Sequence, residues 1–184
     1  MSRVPLIDPA TATGAAAEQL AATQQTMGLT PNMARALANS PAALKGFLGL
    51  FGALKQGTLP PALQERLALA IAEANGCSYC LSAHTMVARN VVKLPQAEIE
   101  AARHGRSAEP KDQAALSLAL AITRNRGPVE KEVFDAARQA GLSDEEIVEV
   151  IANVARNIFT NYVNEALEVD VEWPRVTPFA HTPA

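Results

Sequence analysis

The chain predicts an all-α protein, a multi-helix bundle of eight or nine helices, and three observations carry that expectation. No segment alternates apolar and polar residues over a strand's length, whereas apolar residues recur at helical spacing through most of the sequence. Hydrophobic residues make up 48% of the chain but aromatic ones only 4%. The apolar share is therefore mostly aliphatic, with small side chains that let helices pack closely. The 184 residues suit a single domain, 1–184, able to bury a core without disulfides or metals.

Residues 1–11 read as an extended arm. A first helix over Gly14 to Met27 is ended by Gly28. Thr30-Pro31 and Ser40-Pro41 each place a capping residue before a proline, predicting a short helix to about Ala38 and a longer one to about Leu54. Thr58-Leu59-Pro60-Pro61 starts the next helix, with Leu63, Leu67, Ala70, Ile71 and Ala74 as a buried stripe and Asn75-Gly76 as its end. A new helix is expected from Cys77 or Ser78 to about Val92. It is followed by short helices over Pro95 to Arg103, Pro110 to Arg124 and Val129 to Ala140.

The strongest start signal is Ser143-Asp144-Glu145-Glu146, a capping box flanked by Leu142 and Ile147 as a hydrophobic staple. Ile147, Ile151, Val154, Ile158 and Tyr162 then predict a long amphipathic helix to about Glu168. Residues 169–184 read as an extended tail anchored by Trp173.

A net charge of -3 and no run of Lys or Arg exclude a nucleic-acid footprint or an anionic membrane surface. The longest apolar run, Leu67 to Ala72, is too short to span a bilayer, and the N-terminal residues show no signal-peptide core. A soluble cytoplasmic protein is the expectation. In a reducing compartment two cysteines three residues apart are redox-active or metal-binding more often than structural.

Those cysteines stand in Asn75-Gly76-Cys77-Ser78-Tyr79-Cys80-Leu81-Ser82-Ala83-His84. On a helix Cys77, Cys80 and His84 project within roughly 60° of one another. A helix N-terminus beside an imidazole favours the thiolate, and His84 is placed one turn beyond Cys80 to exchange its proton. A carboxylate would complete a relay. Glu65 and Glu73, about 80° apart on the preceding helix, are both candidates by spacing.

Glu65, Cys77, Cys80 and His84, with the words Gln64-Glu65-Arg66-Leu67 and Ala83-His84-Thr85, resemble the signature of the alkyl hydroperoxidase D family, within the carboxymuconolactone decarboxylase-like superfamily. Ala140-Gly141-Leu142-Ser143 and Phe159-Thr160-Asn161-Tyr162-Val163-Asn164 are similar to its peroxidase-related branch, so the resemblance extends over nearly the whole chain. It implies an all-helical homo-oligomer, a trimer or hexamer, without cofactor. Cys80 would attack a hydroperoxide, Cys77 would resolve the sulfenic acid as a disulfide, and Glu65 and His84 would form the proton relay. A lipoyl-bearing or thioredoxin-like dithiol would return the pair. In well-characterised members a histidine precedes the second cysteine, where this chain has Tyr79. The decarboxylases that name the superfamily lack the pair, which argues against lactone decarboxylation.

The competing readings are a redox-switched scaffold or binding oligomer without turnover, and another thiol-disulfide or small-molecule reaction of the superfamily. A buried inert pair and a zinc site are the remaining alternatives. Three ligands on one helical face fit a zinc tetrahedron poorly. His104, His181, Asn161, Tyr162 and Asn164 are expected to serve structure or subunit contacts rather than chemistry.

Overall fold

The structure, a computed structural model, describes residues 1–179. Among them it contains nine α-helices and no strand: α1 (Gly14–Met27), α2 (Asn32–Leu37), α3 (Pro41–Leu54), α4 (Pro61–Ala74), α5 (Ser78–Val87), α6 (Gln96–Arg103), α7 (Pro110–Asn125), α8 (Lys131–Gln139) and α9 (Asp144–Ala166). A π-helical turn, Ala88–Val92, continues α5 where a regular helix is expected, and Lys93 closes it at φ 66°.

The central element is α4. Its sequence shows one apolar stripe, yet the helix is buried on nearly every side from Leu67 through Glu73. Leu63, Leu67, Ala70 and Ile71 face one core, shared with α7, α8 and the first half of α9. Leu69 and Ala72 face a second, formed by α1, α2, α3, α5 and α6. A single helix thus separates two apolar cores, and the site is built where α5 folds back from its end.

Local caps form as the sequence predicts at two places. The Ser40 side chain accepts from the Ala43 N–H with Pro41 at the first helical position, and the Ser143–Glu146 capping box is complete. The expected Thr30 cap does not form. Its hydroxyl donates to Gln24 Oε1 instead, and α2 starts one residue later. The free donors of α2 are taken by distant groups: the Asn32 N–H by Glu172 Oε1 and the Met33 N–H by the Tyr79 hydroxyl, both at about 2.9 Å or less.

Glu149 on α9 makes a similar long-range contact. Its carboxylate accepts from the Thr58 and Leu59 N–H groups just before α4, at 2.8–3.0 Å. Gly57 permits that approach, since a Cβ there would lie 2.5 Å from the carboxylate.

The expected face of α9 needs correction. Ile151 and Tyr162 are exposed, together with Val148 and Phe159, while the buried side carries Ile147, Val150 and Val154 followed by Asn153, Asn157, Asn161 and Asn164. Apolar residues occupy more than half of this helix's circumference, so periodicity left its buried side undetermined.

Residues 1–13 and 169–179 lie outside the helices. The arm ties to the end of α9 through the Arg3 N–H on the Leu167 carbonyl. The tail crosses α5: Trp173 meets Tyr79 edge-on at 5.2 Å, the Val176 N–H donates to Ser82 Oγ, and the Phe179 N–H donates to Glu73. His181 and the rest of residues 180–184 lie outside the described residues. No described helix is long and apolar enough to cross a membrane.

Candidate active site

Cys77 is the N-cap of α5 rather than part of the helix, with extended backbone at φ -83° and ψ 97°. The helical-face argument for it therefore fails, but the sulfurs still meet. The Cys80 N–H donates to Cys77 Sγ at 3.2 Å, as N-cap geometry requires, and the two sulfurs lie 2.6 Å apart, unbonded. Forming a disulfide of about 2.05 Å needs only a small approach.

The two thiols are not equivalent. The hydrogen bond that Cys77 gives Cys80, its burial and the neighbouring sulfur's charge all push Cys77 upward. Burial alone would raise Cys80 too. Hydrogen bonds from Cys77 and Asn164, the charge of His84 and the Asn161 amide outweigh it, and Cys80 is held below the ordinary 9.0. Of the two, Cys80 is the thiol that ionises more readily and Cys77 the one that keeps its proton longer.

Glu65, on the second turn of α4, accepts or shares a proton with His84 Nδ1 at 2.8 Å. Burial works against a charged ring, but the Glu65 carboxylate and Cys80 prevail and His84 stays above the ordinary 6.5. With Nδ1 committed to Glu65, Nε2 is the nitrogen left for a reacting group. The side chains of His84 and Glu65 retain 23% and 16% exposure, whereas Cys80 retains 3%. Solvent reaches the edge of the relay and not the sulfur.

Glu73, the other candidate acid, is drawn away from the thiols. It holds Arg103 Nε at 2.8 Å and the Phe179 N–H at 2.6 Å, with the Arg103 guanidinium 4.0 Å above the Phe179 ring. His104 stacks on the same ring at 4.4 Å. This cluster pins the tail and explains both residues structurally.

The Asn-rich side of α9 supplies what local sequence spacing missed. Asn164 Nδ2 donates to Cys80 Sγ at 3.2 Å, and Asn161 is oriented by Asn75 Nδ2 on its Oδ1 at 2.7 Å. Tyr162, between them, points outward. Four buried polar side-chain atoms lack a partner: Thr85 Oγ1, Asn153 Oδ1, Asn161 Nδ2 and Asn164 Oδ1. All lie on α5 or α9, the helices that flank Cys80. Buried polar groups without partners are rare away from sites that bind something. Residue by residue, the sequence signal for those on α9 was four asparagines inside one helix, a residue unfavourable there.

Among the described residues no group of three or more His, Cys, Asp and Glu converges as a metal cage. A polar cavity of about 300 Å³ lies beside the start of α5, lined by Ser78, Tyr79, Asn164, Glu165 and Arg175 among others. A larger hollow of about 510 Å³ between α7 and α8 contains neither cysteine nor histidine.

No curated protein matches this sequence. Residues 41–109, which hold all four signature residues, match the carboxymuconolactone decarboxylase family. A peroxidase-related protein from Ralstonia eutropha with the alkylhydroperoxidase core is 25% identical and superposes with a TM-score of 0.81, over 93% of this chain and 92% of that one. One from Silicibacter sp. is 22% identical, with a TM-score of 0.78 over 92% and 91%. A debrominase, solved apo and with 2,3,4-tribromopyrrole, is 25% identical in its apo form, with a TM-score of 0.71 over 85% and 86%. With its Cys77–Cys80 pair at the start of α5, this chain is similar over residues 41–109 to the carboxymuconolactone decarboxylase family and, over nearly its whole length, to the alkylhydroperoxidase core.

Proposed function

We propose that the protein is a cysteine-based peroxidase that reduces organic hydroperoxides. The observation that supports this reading best is the opposed pair of buried sulfurs 2.6 Å apart, one favouring the thiolate and one the thiol, beside an imidazole bound to a carboxylate.

The Cys80 thiolate attacks the terminal oxygen of ROOH, the O–O bond breaks, and protonated His84 gives its proton to the departing alkoxide. The products are Cys80 sulfenic acid and ROH. Cys77 then attacks the Cys80 sulfur, releasing water and forming the disulfide. Glu65 holds the ring in place through both steps and favours its return to the charged form. An external dithiol, lipoyl-bearing or thioredoxin-like, supplies two electrons and two protons to restore the pair, which suits a reducing compartment such as the cytoplasm.

Self-association belongs to the reading. Val148, Ile151 and Tyr162 line the outer side of α9, with Leu50 exposed on α3, as a helix does when a second copy covers it. Mass measurement in solution distinguishes trimer, hexamer and monomer.

The test is a free-thiol count on reduced protein before and after one equivalent of cumene hydroperoxide. Two thiols disappear in the wild type and none in Cys80→Ser, while Cys77→Ser leaves a trapped sulfenic acid. Thiols that stay titratable in the wild type overturn the proposal. Oxidation without sustained peroxide consumption in the presence of a dithiol supports the redox-switched scaffold instead.

The likeness to a debrominase favours one second reading. A thiolate can take bromine from an electron-rich ring, leaving the ring carbon with a proton and the sulfur as a sulfenyl bromide that Cys77 resolves to the same disulfide. Bromide release from a bromopyrrole, with cumene hydroperoxide left unconsumed, selects it.

A further inference from the structure

Arg156, on α9, is a buried basic side chain that finds no acceptor among the described residues. It projects from the buried side of α9 and retains 6% exposure. Among the described residues its guanidinium neither donates a hydrogen bond to a side chain or carbonyl nor forms an ion pair, unlike Arg66, Arg103 and Arg138, each of which holds a carboxylate. Its charge nevertheless acts on both members of the relay, Glu65 and His84. Glu65 does not pair with it directly; its Oε2 is held by His84 Nδ1.

The guanidinium nitrogens are not among the fully enclosed atoms that lack a partner, so the buried side chain keeps its head at solvent's edge, and its planar set of N–H donors suits a carboxylate taken two-pronged. Aromatic rings lie on one side of it. The guanidinium lies 5.7 Å from the centre of the Phe51 ring. Phe51 adjoins Phe47 at 5.8 Å, and Phe47 stacks on the partly exposed Phe159 at 6.4 Å. A cation set among aromatic rings that reach the surface accepts a ligand with an anionic end and an apolar body.

We infer that Arg156 is a specificity residue that binds the carboxylate of an organic hydroperoxide, with the Phe47, Phe51 and Phe159 rings against the body of the substrate and the peroxide group presented to Cys80 and His84. The reacting group in this inference rests on the peroxidase reading, whereas the anion rests on Arg156 alone.

The test compares cumene hydroperoxide with its ring-carboxylated analogue under saturating dithiol. Wild-type protein favours the carboxylated substrate about tenfold or more in kcat/KM, as a charged hydrogen-bonded contact implies. Arg156→Gln brings the ratio of the two to about one, and Arg156→Lys retains part of it. The carboxylated alcohol, a product that does not react, binds reduced wild-type protein with a Kd about tenfold tighter than Arg156→Gln by calorimetry.

An equal kcat/KM for the two hydroperoxides in the wild type, together with equal binding of the alcohol to wild type and variant, overturns the inference. So does an Arg156→Gln protein that keeps the ratio but changes its oligomeric mass, since a carboxylate of a second copy then holds the guanidinium. If neither hydroperoxide is consumed the peroxidase reading falls, and the binding of the carboxylated alcohol still decides the role of Arg156. If Arg156→Gln fails to fold, the wild-type comparison and Arg156→Lys decide it.

Discussion

Asn164 lies 84 residues from Cys80 in sequence and donates to its sulfur at 3.2 Å, both groups being buried. A hydrogen bond to a charged partner contributes about 1.5–3 kcal/mol. The amide also interacts weakly with the neutral thiol, so the lower end of that range separates the two protonation states. At about 1.36 kcal/mol per pH unit, Asn164→Ala raises the Cys80 midpoint by about one unit. Asn164→Asp raises it further, because a like charge then faces the thiolate.

The assay is the pH dependence of thiolate absorbance in a Cys77→Ser background, where the serine hydroxyl still donates to Cys80 and only one thiol titrates. Stability carries the same signature. Cys80 is depressed in the fold, so its contribution is fully present above the unfolded cysteine value, about 8.5, and is lost as pH falls through the folded midpoint. The stability gap between wild type and Asn164→Ala is accordingly widest in mild alkali and closes in acid. An Asn164→Ala midpoint equal to that of the parent refutes the assignment of Asn164 as a thiolate-stabilising residue.

Glu65→Gln removes the charge that holds His84 above 6.5. The His84 midpoint in proton NMR falls, and peroxide consumption drops roughly 10²–10⁴-fold if the pair is the relay. The raised His84 stabilises the wild-type fold below the unfolded value of about 6.5 and loses that contribution as pH rises through its folded midpoint. Glu65→Gln therefore narrows the stability advantage on the acid side, as urea titrations at several pH values will read. Tyr79→Phe orphans the Met33 N–H and frees Glu172, costing about 1–3 kcal/mol in urea unfolding. It also loosens the tail, measured as faster hydrogen exchange at the Val176 amide. Gly57→Ala forces the Glu149 carboxylate off the Thr58 and Leu59 N–H groups. A loss of about 1–3 kcal/mol is expected, and a Glu149→Gln, Gly57→Ala double variant loses less than the sum of the single effects.

Chemistry within one short stretch was legible from residue order. Glu65, Cys77, Cys80 and His84 lie on two consecutive helices joined by the turn at Asn75-Gly76, so their spacing constrains their meeting in space. Helix bounds came within one or two residues wherever the cap was local, as at Ser40, Gly28 and Ser143. Where the cap came from elsewhere, order alone failed: Thr30 is not the cap of α2, because Glu172 and Tyr79 satisfy its donors.

Spacing also left Glu65 and Glu73 equal as candidate acids. Only packing separated them, by placing His84 beside the first and Arg103 with the tail beside the second. The residues that adjust the proposed site, Asn161, Asn164 and Arg156, sit on α9, whose apolar residues fit more than one buried stripe. By itself the sequence determined the all-helical class, most helix limits and the four-residue signature, because each is encoded by neighbours in the chain. The tertiary structure alone decided which side of α9 faces Cys80, which acid meets His84 and which arginine is buried without an ion pair among the described residues, because those depend on rotations between helices that no local pattern records.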